Sequence, residues 1–424
     1  MATLATVNSR RTLQARLREA RGETDALFQA IRPEALYDRP IPERHRIVFY
    51  VGHLEAFDWN LLAASCGLAS FYADFDRLFA FGIDPVGGGL PTDVPQDWPR
   101  MEEVNAYRDR VRESLDRALD RVSLPEEGDG SFGQLLNVAI EHRLMHAETL
   151  AYMFHQMPFA RKQGAAGRRV LGGLALQPRP VRVPAGMATL GLRRDAALFG
   201  WDNEFEAHTV AVPEFEIDRY KVTNSQFLHF IEEGGYGDRA LWAEADWEWR
   251  NAQAIAHPVF WARRGNAWLY RSMFDEFALP LDWPVYVSHA EAAAYARWAG
   301  KSLPTEAQWH RAAQGVPETE SPFPVPGEWD PAPVNACRTG PGDQGVEGLI
   351  ADGWEWTATE FAPFPGFTPF ACYPGYSANF FDGRHYVLKG GSVRTAACML
   401  RPSFRNWFQP HYQYVYSGFR CVKA

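Results

Sequence analysis

In the run Glu141-His142-Arg143-Leu144-Met145-His146-Ala147-Glu148 two histidines stand four residues apart. On a helix turning about 100° per residue, their side chains differ by roughly 40° in azimuth and by one turn in height. Two imidazoles placed in this way share a face and can grip one metal ion. Glu148 points away from that face, which makes it a poor member of the same inner coordination shell. The bland alternative is a surface helix that happens to carry two histidines, and the pair alone does not choose between the two.

The pair must be positioned by its surroundings, and from about residue 8 to residue 157 the pattern is helical, with few strand-like alternations. Helices are predicted over 9–31, from near His53 through Phe57, Leu61 and Leu62, over 104–121 and over 132–156, the last carrying the pair. Between them, residues 82–99 are rich in Gly, Pro and Asp and read as a long loop. Residues 158–184 shift to Arg, Gly, Ala and Pro, which marks a connection near residue 168 and divides the chain into domains 1–165 and 166–424. The second part is rich in Trp, Gly and Pro, with strand candidates at 209–212 and 386–389 and helices at 224–232 and 289–299. Ser288 and Gly300 are suitable caps for the last of these. The expected fold class is an all-α domain followed by an irregular α+β domain.

A chain of 424 residues is too long for one ordinary core, so two domains are the natural expectation. With 46% hydrophobic and 22% charged residues it is globular rather than disordered or fibrous. A formal charge of -9 and the lack of a basic stripe argue against a nucleic-acid partner and leave small molecules as the expected ones. The five cysteines show no CxxC spacing, so neither a zinc ribbon nor a disulfide framework is suggested, and a reducing compartment fits. Residues 1–21 lack a continuous apolar segment, and no run approaches the roughly 20 apolar residues of a membrane span. The expected location is the cytoplasm.

The second part contains Tyr220-Lys221-Val222-Thr223-Asn224, Pro284-Val285-Tyr286-Val287-Ser288, Leu303-Pro304-Thr305-Glu306-Ala307-Gln308-Trp309, Gly353-Trp354-Glu355-Trp356-Thr357, Lys389-Gly390-Gly391-Ser392 and Ser417-Gly418-Phe419-Arg420. In that order they resemble the formylglycine-generating-enzyme domain, a variant of the C-type lectin fold. Within it Trp309, Trp354 and Trp356 are expected to be core. Joined to the histidine-bearing helical part, the whole chain resembles the nonheme iron synthases of ergothioneine, ovothiol and selenoneine biosynthesis. That resemblance implies a DinB-like four-helix bundle whose metal ligands fall on His53, His142 and His146, with Fe(2+) as cofactor. Glu148 is then an outer-shell or structural group. Glu55, two residues past His53, is the competing ligand in a two-His, one-carboxylate arrangement.

Three imidazoles on one face of an octahedral iron leave about three positions, enough for a substrate imidazole, a thiolate or selenolate, and dioxygen. The family reaction joins the chalcogen to hercynine, the trimethylated betaine of histidine, and leaves a sulfoxide or selenoxide. By resemblance, Asn406 and Trp407 in Arg405-Asn406-Trp407-Phe408-Gln409-Pro410 contact hercynine, and Phe408 stands where the mycobacterial type has Asp. Met145 stands where that type has a Gln that holds the substrate, and a thioether lacks the donors of an amide. Residues 82–93 contain no arginine where the mycobacterial type binds the carboxylates of γ-glutamylcysteine, which disfavours an anionic donor. Asp84, Asp93, Phe79 and Phe81 could serve a sugar instead, which points to the selenoneine branch and 1-seleno-β-D-glucose. An ergothioneine synthase using cysteine or γ-glutamylcysteine is the runner-up. Tyr376 is the candidate for the family's active-site tyrosine. Alternatives of other classes are a DinB-type zinc-dependent thiol transferase or hydrolase, a formylglycine-generating enzyme, which lacks its closely spaced cysteine pair here, and a lectin-like binding module without catalysis.

Overall fold

The computed structural model describes residues 10–80, 90–122, 128, 130–165, 169, 173–195, 199–317, 324 and 327–423. Its contacts divide the chain into one unit of Met1–Ala165 with Phe370–Tyr373 and a second of Ala166–Pro369 with Pro374–Ala424.

The first unit is helical: α1 (Arg10–Gln29), α2 (Ile47–Leu62), the short α3 (Ala73–Leu78), α4 (Met101–Leu119) and α5 (Phe132–Gln156). Helices α1 and α4 each bury one stripe, Leu13, Leu17, Ala20, Thr24 and Leu27 on the former and Val104, Tyr107, Val111, Leu115 and Leu119 on the latter. The three- and four-residue steps between these positions are those of an amphipathic helix lying over a core. Helix α2 buries every residue from Ile47 to Ala56, and α5 buries Leu135 to Arg143 and His146 to His155, so both are interior helices. Helix α5 starts where Ser131 accepts a hydrogen bond from the Gln134 N–H at 3.2 Å. Helix α2 begins six residues before the start expected near His53. Gly52 sits inside this helix, where the Phe79 ring occupies the space of a side chain. A Cβ there would lie 2.5 Å from that ring.

The second unit contains four small sheets among the described residues. Strands β1 (Pro180–Val183), β4 (Phe215–Asp218) and β12 (Val422–Lys423) form one, and β2 (Gly186–Leu190) pairs with β3 (His208–Val212). A meander joins β5 (Trp261–Arg264), β6 (Ala267–Arg271) and β7 (Glu276–Ala278). The fourth sheet runs β10 (Asn406–Phe408), β9 (Tyr386–Lys389), β8 (Trp354–Glu360), β11 (Ser417–Gly418). Its register sets Trp407 opposite Val387 and Phe408 opposite Tyr386. Helices α6 (Asn224–Glu232) and α8 (His289–Trp298) match the sequence expectation, α8 with a Ser288–Glu291 capping box and Gly300 at a φ of 65°. Helices α7 (Glu244–Ala252) and α9 (Glu306–Ala312) were not predicted: each spans barely two turns, too short for a burial period to emerge. Trp309, Trp354 and Trp356 are buried as core residues. No helix among the described residues is long and apolar enough to cross a membrane.

Glu306, at the first position of α9, fixes this helix to the strands. It accepts hydrogen bonds from Arg405 at 2.9 and 3.1 Å, and the Lys389 ammonium lies 3.6 Å away. Burial alone would raise its pKa, but the Arg405 and Lys389 charges pull it down from 4.5 to about 2. Burial, opposed by Glu306, lowers Lys389 to about 8. A carboxyl that is more acidic in the folded state stabilises the fold above its unfolded pKa and loses that contribution as pH falls through its folded one. Glu306→Gln is therefore expected to cost about 3 kcal/mol at pH 7, with the gap to the parent closing as pH drops from 4.5 to about 2. Urea unfolding as a function of pH measures this.

Candidate metal centre

His53 stands in the middle of α2, and His142 and His146 lie one turn apart on α5. One ring nitrogen from each comes within 4.8 Å of the other two, and all three residues are buried. His53 Nδ1 is 2.7 Å from the Phe79 carbonyl oxygen, which can only accept, so the proton is on Nδ1 and the Nε2 lone pair faces inward. There it meets His146 Nε2 at 3.3 Å. Burial lowers His53 to about 4 and His142 and His146 well below the ordinary histidine value, with neighbouring positive groups acting in the same direction. All three imidazoles are therefore neutral at pH 7, the form in which histidine binds a metal. Their donor set suits a borderline divalent ion, and the ring nitrogens lie close enough together for one ion to reach all three.

The rings are held by aromatic faces. Phe49, four residues before His53, stacks on it at 4.9 Å and 16°. Phe57, four residues after, stacks on His142 at 3.4 Å and 10°. Tyr373, in the segment that belongs to this helical unit, meets Phe57 edge-on at 5.2 Å and His142 at 6.1 Å.

Beneath the triad lies a buried charge network. Arg143 donates to Glu55 Oε1 at 3.0 Å, to Asp58 Oδ2 at 2.8 Å and to the Leu54 carbonyl at 2.7 Å. Arg112 of α4 joins Glu55 to Asp25 of α1 at 2.7 Å each, and Arg21 of α1 binds Asp116 of α4 at 2.8 Å. Burial would raise Glu55, but Arg143 and Arg112 hold it down at about 2. The alternative ligand assignment for Glu55 therefore fails: its carboxylate is bound to two guanidiniums and is not part of the converging group.

The comparisons with known proteins follow the same division. Residues 16–150 match the DinB superfamily and residues 174–424 the sulfatase-modifying factor enzyme 1-like domain. The chain is 37% identical over 344 residues to a protein named hercynine oxygenase from Mycolicibacterium thermoresistibile, covering 74% of this chain and 72% of that one. It is 36% identical over 323 residues to the hercynine oxygenase of Mycobacterium tuberculosis, covering 72% and 74%. The ergothioneine biosynthesis protein 1 of Neurospora crassa is 27% identical over 93% of this chain, which spans 56% of that longer protein. The chain belongs to the hercynine oxygenase and ergothioneine synthase family.

Other residues singled out in this family member fall in several places. Glu148 is buried on α5 outside the converging group. Met145 is half-buried on the same helix. In the second unit Trp407 stacks on Phe361 at 4.2 Å and 7°, and Asn406 Oδ1 accepts from the Trp407 N–H at 2.9 Å. Phe408 stacks on Tyr412 at 5.0 Å. Tyr376 also belongs to that unit, buried, with its ring on Trp201 at 3.9 Å and edge-on to Trp407 at 5.2 Å. Of the groups considered for a sugar, Phe81 and Asp84 lie outside the described residues, as do residues 82–89. Phe79 is buried against α2, and Asp93 accepts from Arg39 at 2.5 Å, Arg46 at 2.9 Å and Trp98 at 2.8 Å, so neither is free for a ligand. The sequence reading missed Tyr373, the two stacked phenylalanines and Arg143. The four-residue spacing of Phe49, His53 and Phe57 was a usable signal, as were the acids Glu55 and Asp58 in an otherwise apolar helix.

Removing Arg143 leaves Glu55 and Asp58 buried with half their countercharge. Arg143→Met is expected to destabilise the protein by about 3–5 kcal/mol in urea unfolding, whereas Arg117→Met, an exposed position on α4, shifts it by less than about 0.5 kcal/mol.

Proposed function

We propose that the protein is an oxygen-dependent iron(II) synthase that joins a chalcogen donor to an imidazole carbon of hercynine, with the selenosugar 1-seleno-β-D-glucose as donor. The observation that carries this reading is the convergence of three buried, neutral imidazoles on one point, in a chain whose relatives include hercynine oxygenases. The overall step balances as hercynine C–H plus R–SeH plus O2 giving hercynyl–Se(=O)–R plus water. Formation of the C–Se bond and of the selenoxide each release two electrons, and the four together reduce dioxygen. Iron held by His53, His142 and His146 would supply the redox chemistry and the positive charge that favours a deprotonated selenol or thiol.

The protein's own groups do the rest. The Phe79 carbonyl fixes the His53 tautomer, and the stacked Phe49 and Phe57 fix ring planes. Tyr373, packed edge-on to His142, is the proton donor in this reading and takes the role first sought at Tyr376. Asn406 has its side-chain oxygen engaged, which leaves its amide N–H groups for the hercynine carboxylate, and Trp407 presents an aromatic surface suited to the trimethylammonium. Two features support a neutral donor. No arginine occurs in residues 82–93, and nearby Arg39 and Arg46 are already bound to Asp93. Met145, in place of the amide that helps hold the histidine-derived substrate in the mycobacterial type, sets this site apart from that type.

Anaerobic reconstitution with ferrous iron, followed by oxygen and a mixture of hercynine, selenoglucose, cysteine and γ-glutamylcysteine, tests the reading by product mass. The hercynyl selenosugar is expected to dominate; a cysteine or γ-glutamylcysteine adduct in excess would replace the donor assignment with the ergothioneine one. His142→Ala is expected to lose bound iron and at least about a hundredfold in turnover. An enzyme that isolates with zinc and turns over equally well without oxygen would falsify the iron reading.

A further inference from the structure

Phe57 has a position that packing alone does not require. It is half-buried, not part of the solid interior of α2, yet its ring lies flat on His142 with centroids 3.4 Å apart and planes 10° from parallel. The same ring meets Tyr373 edge-on at 5.2 Å, and Tyr373 in turn meets His142 at 6.1 Å. Phe57 also lies one turn from His53 on the same face of α2, with ring centroids 6.3 Å apart. One phenyl ring therefore touches both histidine-bearing helices and the tyrosine segment.

We propose that Phe57 is a positioning residue of the metal centre, which locks the plane of the His142 imidazole and lends its π-face to the charge that this imidazole takes on when it binds a cation. The proposal rests on the reading of the triad as a metal centre. Two physical effects act together. An imidazole rotates freely about its outer torsion unless a neighbour blocks it, and a parallel ring at van der Waals distance removes that freedom for His142. A bound divalent ion then makes the imidazole partly positive, and a benzene face attracts a partly desolvated positive group as it does an ammonium. His53 receives the same treatment from Phe49, but that ring is buried and its loss would open a core cavity. Phe57 is therefore where the effect can be separated from folding.

The test uses cobalt(II) as the probe, added to the full-length metal-free protein. Its visible absorption reports the ligand field, and competition with a chelator gives the dissociation constant; neither depends on turnover. Phe57→Leu is expected to weaken cobalt binding roughly 3- to 30-fold and to shift the absorption bands. Phe57→Tyr, which keeps the ring, is expected to retain both parent values. A Phe57→Leu protein with parental affinity and spectrum overturns the proposal, as does a Phe57→Tyr protein that loses as much as Phe57→Leu. If Phe57→Leu is unfolded at the assay temperature, Phe57→Met, which keeps the volume without the ring, must give the same shift. A parent protein that binds no cobalt overturns the metal-centre reading itself, and this proposal with it, whereas the other failures leave that reading standing.

Discussion

A single guanidinium with no exposed surface sets the geometry of the helical unit. Arg143 lies on α5 between His142 and His146, and its hydrogen bonds run to Glu55, Asp58 and the Leu54 carbonyl of α2, the helix that carries His53. Burying a charge costs several kcal/mol unless it is paired and its donors are satisfied. The pairing here is directional: a planar fork accepts carboxylates only where its N–H groups point. The two histidine-bearing helices are thereby fixed to each other by bonds that start one residue from His142 and reach Leu54 and Glu55, one and two residues from His53.

The same network pairs the buried arginine that lies beside the three histidines. Arg21, Arg112 and Arg143 are matched by Asp25, Glu55, Asp58 and Asp116, so three positive groups face four negative ones. The positive charge of Arg143 is paired locally with Glu55 and Asp58, which limits its field at the histidines. Burial is the largest cause of the imidazoles' neutrality, and among the described residues the converging group contains no carboxylate.

Much of this was legible in the chain, and the failures have physical causes. Helix α5 was read correctly from end to end because Ser131 caps it, the apolar period runs through it, and Met157-Pro158 stops it. Helix α2 starts six residues before the expected position near His53, and the tertiary neighbour that explains a glycine inside it, the Phe79 ring, leaves no trace in the local sequence. The pair on α5 was visible from spacing; His53 required the family resemblance, since a histidine brought in by a separate helix leaves no local trace of the convergence. Tyr373 was unreadable for a stronger reason. It reaches the histidines across more than two hundred residues of sequence, and nothing in Tyr373-Pro374-Gly375-Tyr376 distinguishes the tyrosine that packs on His142 from the one that packs on Trp201.

An apolar interface between α2 and α5 would serve stability as well as or better than a charged one, because replacing a buried ion network by well-packed hydrophobic side chains is often neutral or favourable. What an apolar interface lacks is register. Leucine and valine faces slide past one another at modest cost, as coiled coils show when a polar core residue is needed to fix their alignment. The triad tolerates no such slip. A shift of one residue along α5 moves His142 and His146 by about 1.5 Å and rotates them by about 100°, far more than a set of ligand atoms lying within 4.8 Å of one another can absorb. The arginine is therefore best understood as a registration device: its stability cost is the condition under which two histidines on one helix and one on another meet at a single point.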